Sequence, residues 1–232
     1  ASALVLHALL INGVIGLCFS TAFLVFGPQL YRALGRQGGS LEAALRYRFG
    51  RMWFEHLLSR AGGYLRGESL AVLHDLGGQL YAQRIESRVY QEMRDIVAAH
   101  RQAGHTLVMC SSAMTMHAAP IAAALAIPHV ICNRFDVDAD GRLTGAIIRP
   151  IIWGRRKAQA VTDFCAANDV ELQHSYFYAD GAEDLPLMLE VGNPRPVNPR
   201  PGLAAAATEH GWPVLRVGRP ARRRSGNGRA SG

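Results

Sequence analysis

Five side chains between residues 111 and 184 have the types and spacing to hold a phosphoryl group and a hard cation. Ser111 and Ser112 end the apolar run Leu107-Val108-Met109-Cys110. Asp180 follows the run Tyr176-Phe177-Tyr178-Ala179, with Asp184 four residues later, and Lys157 lies three residues past Gly154. Two carboxylates four apart across a strand-to-helix turn can converge on an ion such as Mg²⁺, which prefers oxygen ligands. A hydroxyl and an ammonium beside them can hold anionic oxygens. Each feature alone is weak, because an acid at a helix start is commonly a cap, and Asp184 fits that reading equally well.

The lysine stands out by composition. Of 25 basic residues, Lys157 is the one lysine and the rest are arginine. Arginine presents a wide planar fork, whereas lysine is a compact point charge suited to a tight anion site. The net charge of +7 is less informative, because six arginines follow the last acid, Glu209, and leave the body near neutral. The charge therefore gives no ground for a nucleic-acid face. The arginines at 222–224 sit in a Gly/Ser-rich stretch that reads as a solvated tail. Cys18, Cys110, Cys132 and Cys165 are scattered, with no C-x-x-C pair, which argues against structural zinc or a redox dithiol and for a reduced, cytoplasmic protein.

These residues need a scaffold that brings strand ends together. Residues 40–83 have apolar positions at helical spacing, and 85–103 read as a long amphipathic helix stopped by Gly104. From there strands and helices alternate. Strands are expected at 106–111, 129–133 and 175–179, with short ones near 196–198 and 214–217. Helices are expected at 116–126, 157–168 and 183–191, and a hairpin over 135–148 turning at Asp140-Gly141. Alternation of this kind predicts an α/β fold with a parallel sheet covered on both faces. In such sheets ligands bind beyond the carboxyl ends of the strands, where the serines and aspartates fall.

Residues 1–31 carry no charged side chain, and 3–26 are long and apolar enough to span a bilayer. There is no basic region before them, so a signal peptide fits poorly. Burial as a pair of helices is the favoured reading, and membrane contact through 3–26 stays open.

The order Ser111, Gly154-x-x-Lys157, Asp180-x-x-x-Asp184 resembles motifs II, III and IV of the haloacid dehalogenase superfamily, in its phosphoserine-phosphatase-like branch, subfamily IB. Longer stretches resemble that branch more specifically. Asn133-Arg134-Phe135 through Gly145 is similar to its flap hairpin. Tyr178-Ala179-Asp180, Asp184-Leu185-Pro186-Leu187, Glu190-Val191-Gly192, Val197-Asn198-Pro199 and Gly211-Trp212-Pro213-Val214-Leu215 follow it closely. The likeness is good over 85–217 and loose over the helical segment before. It implies a Rossmann-like core with a flap hairpin and an α-helical cap: 1–83 a cap segment, 84–217 the core and 218–232 a basic tail. It also implies a Mg²⁺-dependent phosphomonoesterase acting on a small phosphorylated metabolite through an aspartyl phosphate. Ser111 and Ser112 would bind substrate, with Ser111 on the phosphoryl group. Lys157 would offset its charge, Asp180 would ligate Mg²⁺, and Asp184 would support the metal site.

One part of the pattern is missing. Motif I, F-D-x-D-x-T, supplies the nucleophile on the first strand, yet here the first acid is Glu42 and the first aspartate Asp75. Residues 1–4 resemble the stretch just after motif I, so the expectation is that the central first strand and the attacking aspartate lie upstream of residue 1. The rival is a non-catalytic remnant that binds phosphate or Mg²⁺, or docks on a membrane. The segment Phe135-Asp136-Val137-Asp138-Ala139-Asp140-Gly141 mimics both motif I and an EF-hand opening. It lacks the threonine for the first, and position 12 of the second is Ile147, so a solvated hairpin is the better reading. His117, Arg134, Arg155 and Arg156 are minor substrate-contact candidates, more simply read as structural or solvated. The oligomeric state is not legible.

Overall fold

The computed structural model describes residues 4–7 and 39–218, with the backbone course alone for 4–7, 39–49 and 51. In chain order the strands are β1 (Leu4–His7), β2 (Thr106–Met114), β3 (His129–Asn133), β4 (Phe135–Val137), β5 (Leu143–Ile147), β6 (Tyr176–Ala179) and β7 (Asn193–Pro196). The α-helices are α1 (Gly39–Tyr64), α2 (Leu70–Leu80), α3 (Gln91–Gln102), α4 (Thr115–Ala124), α5 (Arg155–Ala167), α6 (Leu185–Met188) and α7 (Pro201–Glu209). Five strands form a parallel sheet in the order β3-β2-β1-β6-β7, and β4 and β5 form a separate antiparallel hairpin.

The centre of the sheet is filled. Leu4 to Leu6 pair with Thr106 to Val108 of β2, and Val5 to His7 pair with Tyr176 to Tyr178 of β6. The sequence reading puts residues 1–83 in the cap and leaves this slot to a strand upstream. The structure instead places Leu4–His7 there, in the core sheet between β2 and β6. An apolar run such as Leu4-Val5-Leu6 suits a central strand of a parallel sheet, which is covered on both faces. The rest of the segment 3–26, from residue 8 on, lies outside the described residues, as does the tail beyond 218. Among the described residues no helix is long and apolar enough to cross a membrane.

Alternate residues of β2 and β6 feed two different core layers, as the two-residue period of a strand requires. Leu107, Met109 and Tyr178 pack with Met93 and Val97 of α3 and Ile121 of α4. Val108, Cys110, Phe177 and Ala179 pack with Ala158 and Val161 of α5, Leu187 of α6 and Leu203 of α7. A third cluster, Leu58, Leu73, Met114, Phe135, Leu143 and Ile151, joins α1 and α2 to the hairpin. Backbone hydrogen bonds from Gly67 N to Leu143 O (2.8 Å) and from Leu143 N to Glu68 O (2.9 Å) tie the turn between α1 and α2 to β5. Helices α1 and α2 and the β4–β5 hairpin are thus one packed unit, joined to the end of β2 through Met114.

Several boundaries differ from the sequence reading. β2 runs on to Met114 because a register shift after Cys110 lets Met114 pair with Asn133. The helix expected from 85 starts only at Gln91, since Tyr81–Ile85 is a π-turn and Glu86–Arg88 a 3₁₀ turn. β7 comes at Asn193–Pro196, earlier than expected; two prolines are tolerated there because it is an edge strand. Of the strand expected at 214–217 there is a single parallel bridge, Val197 to Leu215.

On the α3 side of the sheet His100 sits in a tight polar cluster. Its Nδ1 is 2.7 Å from Nδ1 of His105, its Nε2 is 2.8 Å from the Tyr178 hydroxyl, and its ring meets that of Tyr176 edge-on at 4.9 Å. Burial, with a smaller push from His105, brings the His100 pKa down to about 4. An unfolded histidine takes up its proton near 6.5, so the native state forgoes that proton. The corresponding stability is complete above pH 6.5 and is lost as pH falls toward 4. Wild type should therefore lose more stability than His100→Gln, which has no proton to gain on unfolding, between pH 7.5 and pH 4, on the order of 2 kcal/mol once partial solvent exposure is allowed for. A gap between their denaturation midpoints that stays constant across the range would refute this account of His100.

Candidate active site at the strand tips

The C-terminal ends of β2 and β6, which flank β1, bring the expected residues to one place. Lys157 enters from the first turn of α5. The turn before it passes through Gly154 at φ 52°, ψ −127°, a backbone conformation that side-chain-bearing residues rarely adopt. Helical geometry then separates three consecutive basic residues: Arg155 and Arg156 face solvent, and Lys157 turns inward and is 3% exposed. Its ammonium contacts Asp184 Oδ1, and the Asp184 carboxylate is equally buried. Asp184 ends the 3₁₀ turn Ala182–Asp184, but its side chain makes no capping hydrogen bond to α6. It is an ion-pair partner, so the capping alternative falls away.

Burial pushes the Asp184 carboxyl above its usual range, while the nearby Lys157 charge opposes the rise. Burial likewise works most strongly against the Lys157 charge, but Asp184, Cys110 and Glu183 together outweigh it and keep the ammonium protonated. The floor of the pair is Cys110, fully buried, whose thiol is pushed up to about 12 by that burial and is inert at neutral pH. Cys110 feels both Lys157 and Asp184. The middle of β2, directly before Ser111, therefore lies within electrostatic reach of the ion pair.

Asp180 leaves the tip of β6 and adds its charge to that of Asp184. Its Oδ2 is 3.6 Å from Nε of Arg200, and Glu183 accepts a 2.7 Å hydrogen bond from Nη2 of the same guanidinium. Burial disfavours the Arg200 charge, but Glu183, Asp180 and Asp184 together raise its pKa above the ordinary value. Neither Glu183 nor Arg200 stands out in the sequence. Arg200 becomes visible only because β7 lies beside β6, so the loop after β7 returns to the same tips.

Ser111 is buried in the C-terminal half of β2, just past Cys110 where the register shifts, and its Oγ accepts a 3.1 Å hydrogen bond from Ala113 N. The Ser112 Oγ is buried with no hydrogen-bond partner among the described residues, a donor free for a ligand oxygen or water. Neither serine bonds directly to Lys157 among the described residues. They are held to the Lys157 turn through Asn133, which is 1% exposed at the end of β3. Its amide donates to Ser112 O (2.7 Å) and Ile152 O (3.2 Å), and its Oδ1 accepts from Ile152 N (2.8 Å). Asn133→Ala should cost about 2–4 kcal/mol, because three buried backbone groups lose their partner. Chemical denaturation would show it; a loss below about 0.5 kcal/mol would mean that the bonds are replaceable by water.

Of the minor candidates, Arg134, Arg155 and Arg156 are exposed, and burial lowers the pKa of His117, whose Nδ1 has no hydrogen-bond partner among the described residues. In the hairpin, Asp138 accepts the amides of Asp140 and Arg142 at 3.0 and 2.9 Å, and Asp136 accepts from Thr144 Oγ1 at 2.7 Å. These acids organise the turn.

Among the described residues no three His, Cys, Asp or Glu side chains gather to hold a metal. Magnesium does not need three, since it takes one or two carboxylates and completes its octahedron with water and phosphate oxygens. Asp180 and Asp184, two hard oxygen donors in one electrostatic cluster, fit that requirement.

The haloacid dehalogenase-like hydrolase model matches residues 10–189. A probable phosphatase of Mycobacterium tuberculosis is 34% identical over 169 residues, covering 71% of this chain and 55% of the relative. A histidinol-phosphatase of Neisseria meningitidis serogroup C is 31% identical over 151 residues, covering 64% of this chain and 67% of the relative. The chain thus spans little more than half the length of the mycobacterial relative. An apo phosphoserine phosphatase structure superposes with a TM-score of 0.59 over 96% of each chain at 16% identity, a likeness of fold. With the parallel sheet, the flap hairpin and the buried lysine–aspartate pair in place, the match over residues 10–189 assigns the chain to the haloacid dehalogenase-like hydrolase family.

Proposed function

We propose that this chain carries the site of a Mg²⁺-dependent phosphomonoesterase of the phosphoserine phosphatase type, acting through an aspartyl phosphate. The observation that carries the reading is the buried Lys157–Asp184 pair beside Asp180 at the tips of the central strands. Lys157 stabilises the charge that accumulates on the transferring phosphoryl oxygens, in a water-poor setting where that charge counts most. Ser111 and Ser112 offer hydroxyls in the C-terminal half of β2. Asp184 fixes the ammonium, and Asp180 with Asp184 would hold Mg²⁺. When bound, the ion supplies charge neutralisation at the phosphoryl group. The substrate is a small phosphorylated metabolite chosen by the cap. A phosphoserine phosphatase of Mycobacterium tuberculosis, 28% identical over 166 residues and covering 71% of this chain and 54% of the relative, and the histidinol-phosphatase make phosphoserine and histidinol phosphate candidates.

This reading requires an attacking aspartate, and residues 1–41 hold no acid. A second reading rests on the same observation. β1 occupies the nucleophile's strand, and the residues around its end, His7-Ala8-Leu9-Leu10, carry no carboxylate. That would make this a phosphate- or Mg²⁺-binding protein without turnover. The intact mass of the protein from its own cells, read with its N-terminal peptide, separates the two. A mass above 25.2 kDa with F-D-x-D-x-T in the extra sequence supports the phosphatase, and 25.2 kDa supports the binding protein.

A further inference from the structure

Arg200 is the residue at the strand tips whose presence the phosphoryl chemistry does not explain. It is the N-cap residue of α7, and its backbone N–H donates to Asp180 O at 2.9 Å, which locks the loop after β7 onto the tip of β6. From there its side chain passes over Gly181. A Cβ at 181 would lie 2.2 Å from Arg200 Nη2 and 2.4 Å from both Glu183 oxygens, so this approach exists only because residue 181 is glycine. The guanidinium then takes two carboxylates at once, Glu183 at 2.7 Å and Asp180 at 3.6 Å. Its own side chain is half exposed, while those of Asp180 and Glu183 are 18% and 23% exposed.

Three acids, Asp180, Glu183 and Asp184, therefore crowd one turn, and Lys157 answers only the last of them directly. Among the described residues Arg200 is the cation paired with the other two, which carry like charge at low solvent exposure. A divalent ion at Asp180 would be drawn to the same negative charge that the guanidinium now covers.

We infer that Arg200 is a resident counter-cation of the metal site: it neutralises Asp180 and Glu183 when no divalent ion is bound and competes with Mg²⁺ for Asp180. Glu183 sets the strength of that competition, because as the closer partner it draws the guanidinium off Asp180. The inference rests on the proposed assignment of Asp180 as a Mg²⁺ ligand. Arg200 acts through that carboxylate and is a positioning residue.

The test uses the full chain and reads binding, with Mg²⁺ alone as the probe. Isothermal titration calorimetry and thermal denaturation with and without Mg²⁺ are compared for wild type, Arg200→Ala, Arg200→Lys and Glu183→Gln. In Arg200→Ala the metal-free midpoint should fall, the Mg²⁺-induced rise should exceed that of wild type, and the Kd for Mg²⁺ should drop about tenfold. Arg200→Lys, which keeps the charge but not the fork, should lie between. Glu183→Gln should move the other way, with weaker Mg²⁺ binding, because the guanidinium then settles on Asp180. A purely structural Arg200 would lower the midpoint equally with and without Mg²⁺ and leave the Kd unchanged, which would overturn the inference alone. Absence of Mg²⁺ binding in wild type would overturn the metal reading and this inference with it.

Discussion

Replacing Lys157 by Met should destabilise the protein by about 3–5 kcal/mol, because it leaves the Asp184 carboxylate buried with no counter-charge. Both side chains are at most 4% exposed, so water cannot take over the lost partner. The same change removes the one ammonium at the site and should lower turnover of the intact enzyme by 10²-fold or more, on the order of removing an oxyanion-hole donor. Stability and chemistry can be told apart with the double variant Lys157→Met/Asp184→Leu. Exchanging a buried ion pair for apolar groups of similar volume is often neutral or stabilising, so the double variant should regain most of the lost stability and none of the activity. Lys157→Arg should retain the charge yet lose most of the activity. The wider guanidinium at a side chain that is 3% exposed should bring strain of about 1–3 kcal/mol. Urea denaturation and initial-rate kinetics check these outcomes. A stable, active Lys157→Arg would remove the lone lysine from the account.

Asp180→Asn should behave in the opposite way, with a large chemical and a small structural effect. The substitution keeps the volume of the side chain, and the bond from Arg200 N goes to the backbone carbonyl, which every residue has. The expected loss of stability is therefore below about 1 kcal/mol. Removal of a formal charge from the candidate metal site should weaken Mg²⁺ binding at least tenfold and lower turnover on the order of 10²-fold. If Mg²⁺ affinity by calorimetry were unchanged, Asp180 would not be a metal ligand.

Each feature is legible in the sequence to the extent that it is encoded locally. The apolar runs before Ser111 and Asp180 mark β2 and β6 because a strand buried on both faces has no polar period to confuse the reading. The Lys157 turn and the Asp140-Gly141 hairpin are written in short-range turn chemistry and stand where expected. The role of Asn133 is not legible. Its three bonds join segments about 20 residues apart on either side, and nothing local marks an asparagine as buried. Arg200 is hidden for the same reason, since its partners at Asp180 and Glu183 depend on β7 lying beside β6. The centre of the sheet escapes the sequence reading because residues 4–7 merge with the long apolar stretch after them. Hydropathy alone does not separate a short buried strand from the start of a helix.

The central claim is phosphoryl transfer at these strand tips. The most direct measurement incubates the intact protein, purified from its own cells, with a phosphomonoester and Mg²⁺, quenches in acid and looks for bound phosphate that hydroxylamine releases. The account predicts Mg²⁺-dependent phosphate release and a hydroxylamine-labile acyl phosphate, both lost in the presence of EDTA and in Asp180→Asn. Phosphate release that persists in EDTA and in Asp180→Asn, or Mg²⁺ binding with no release from any phosphomonoester, would contradict it.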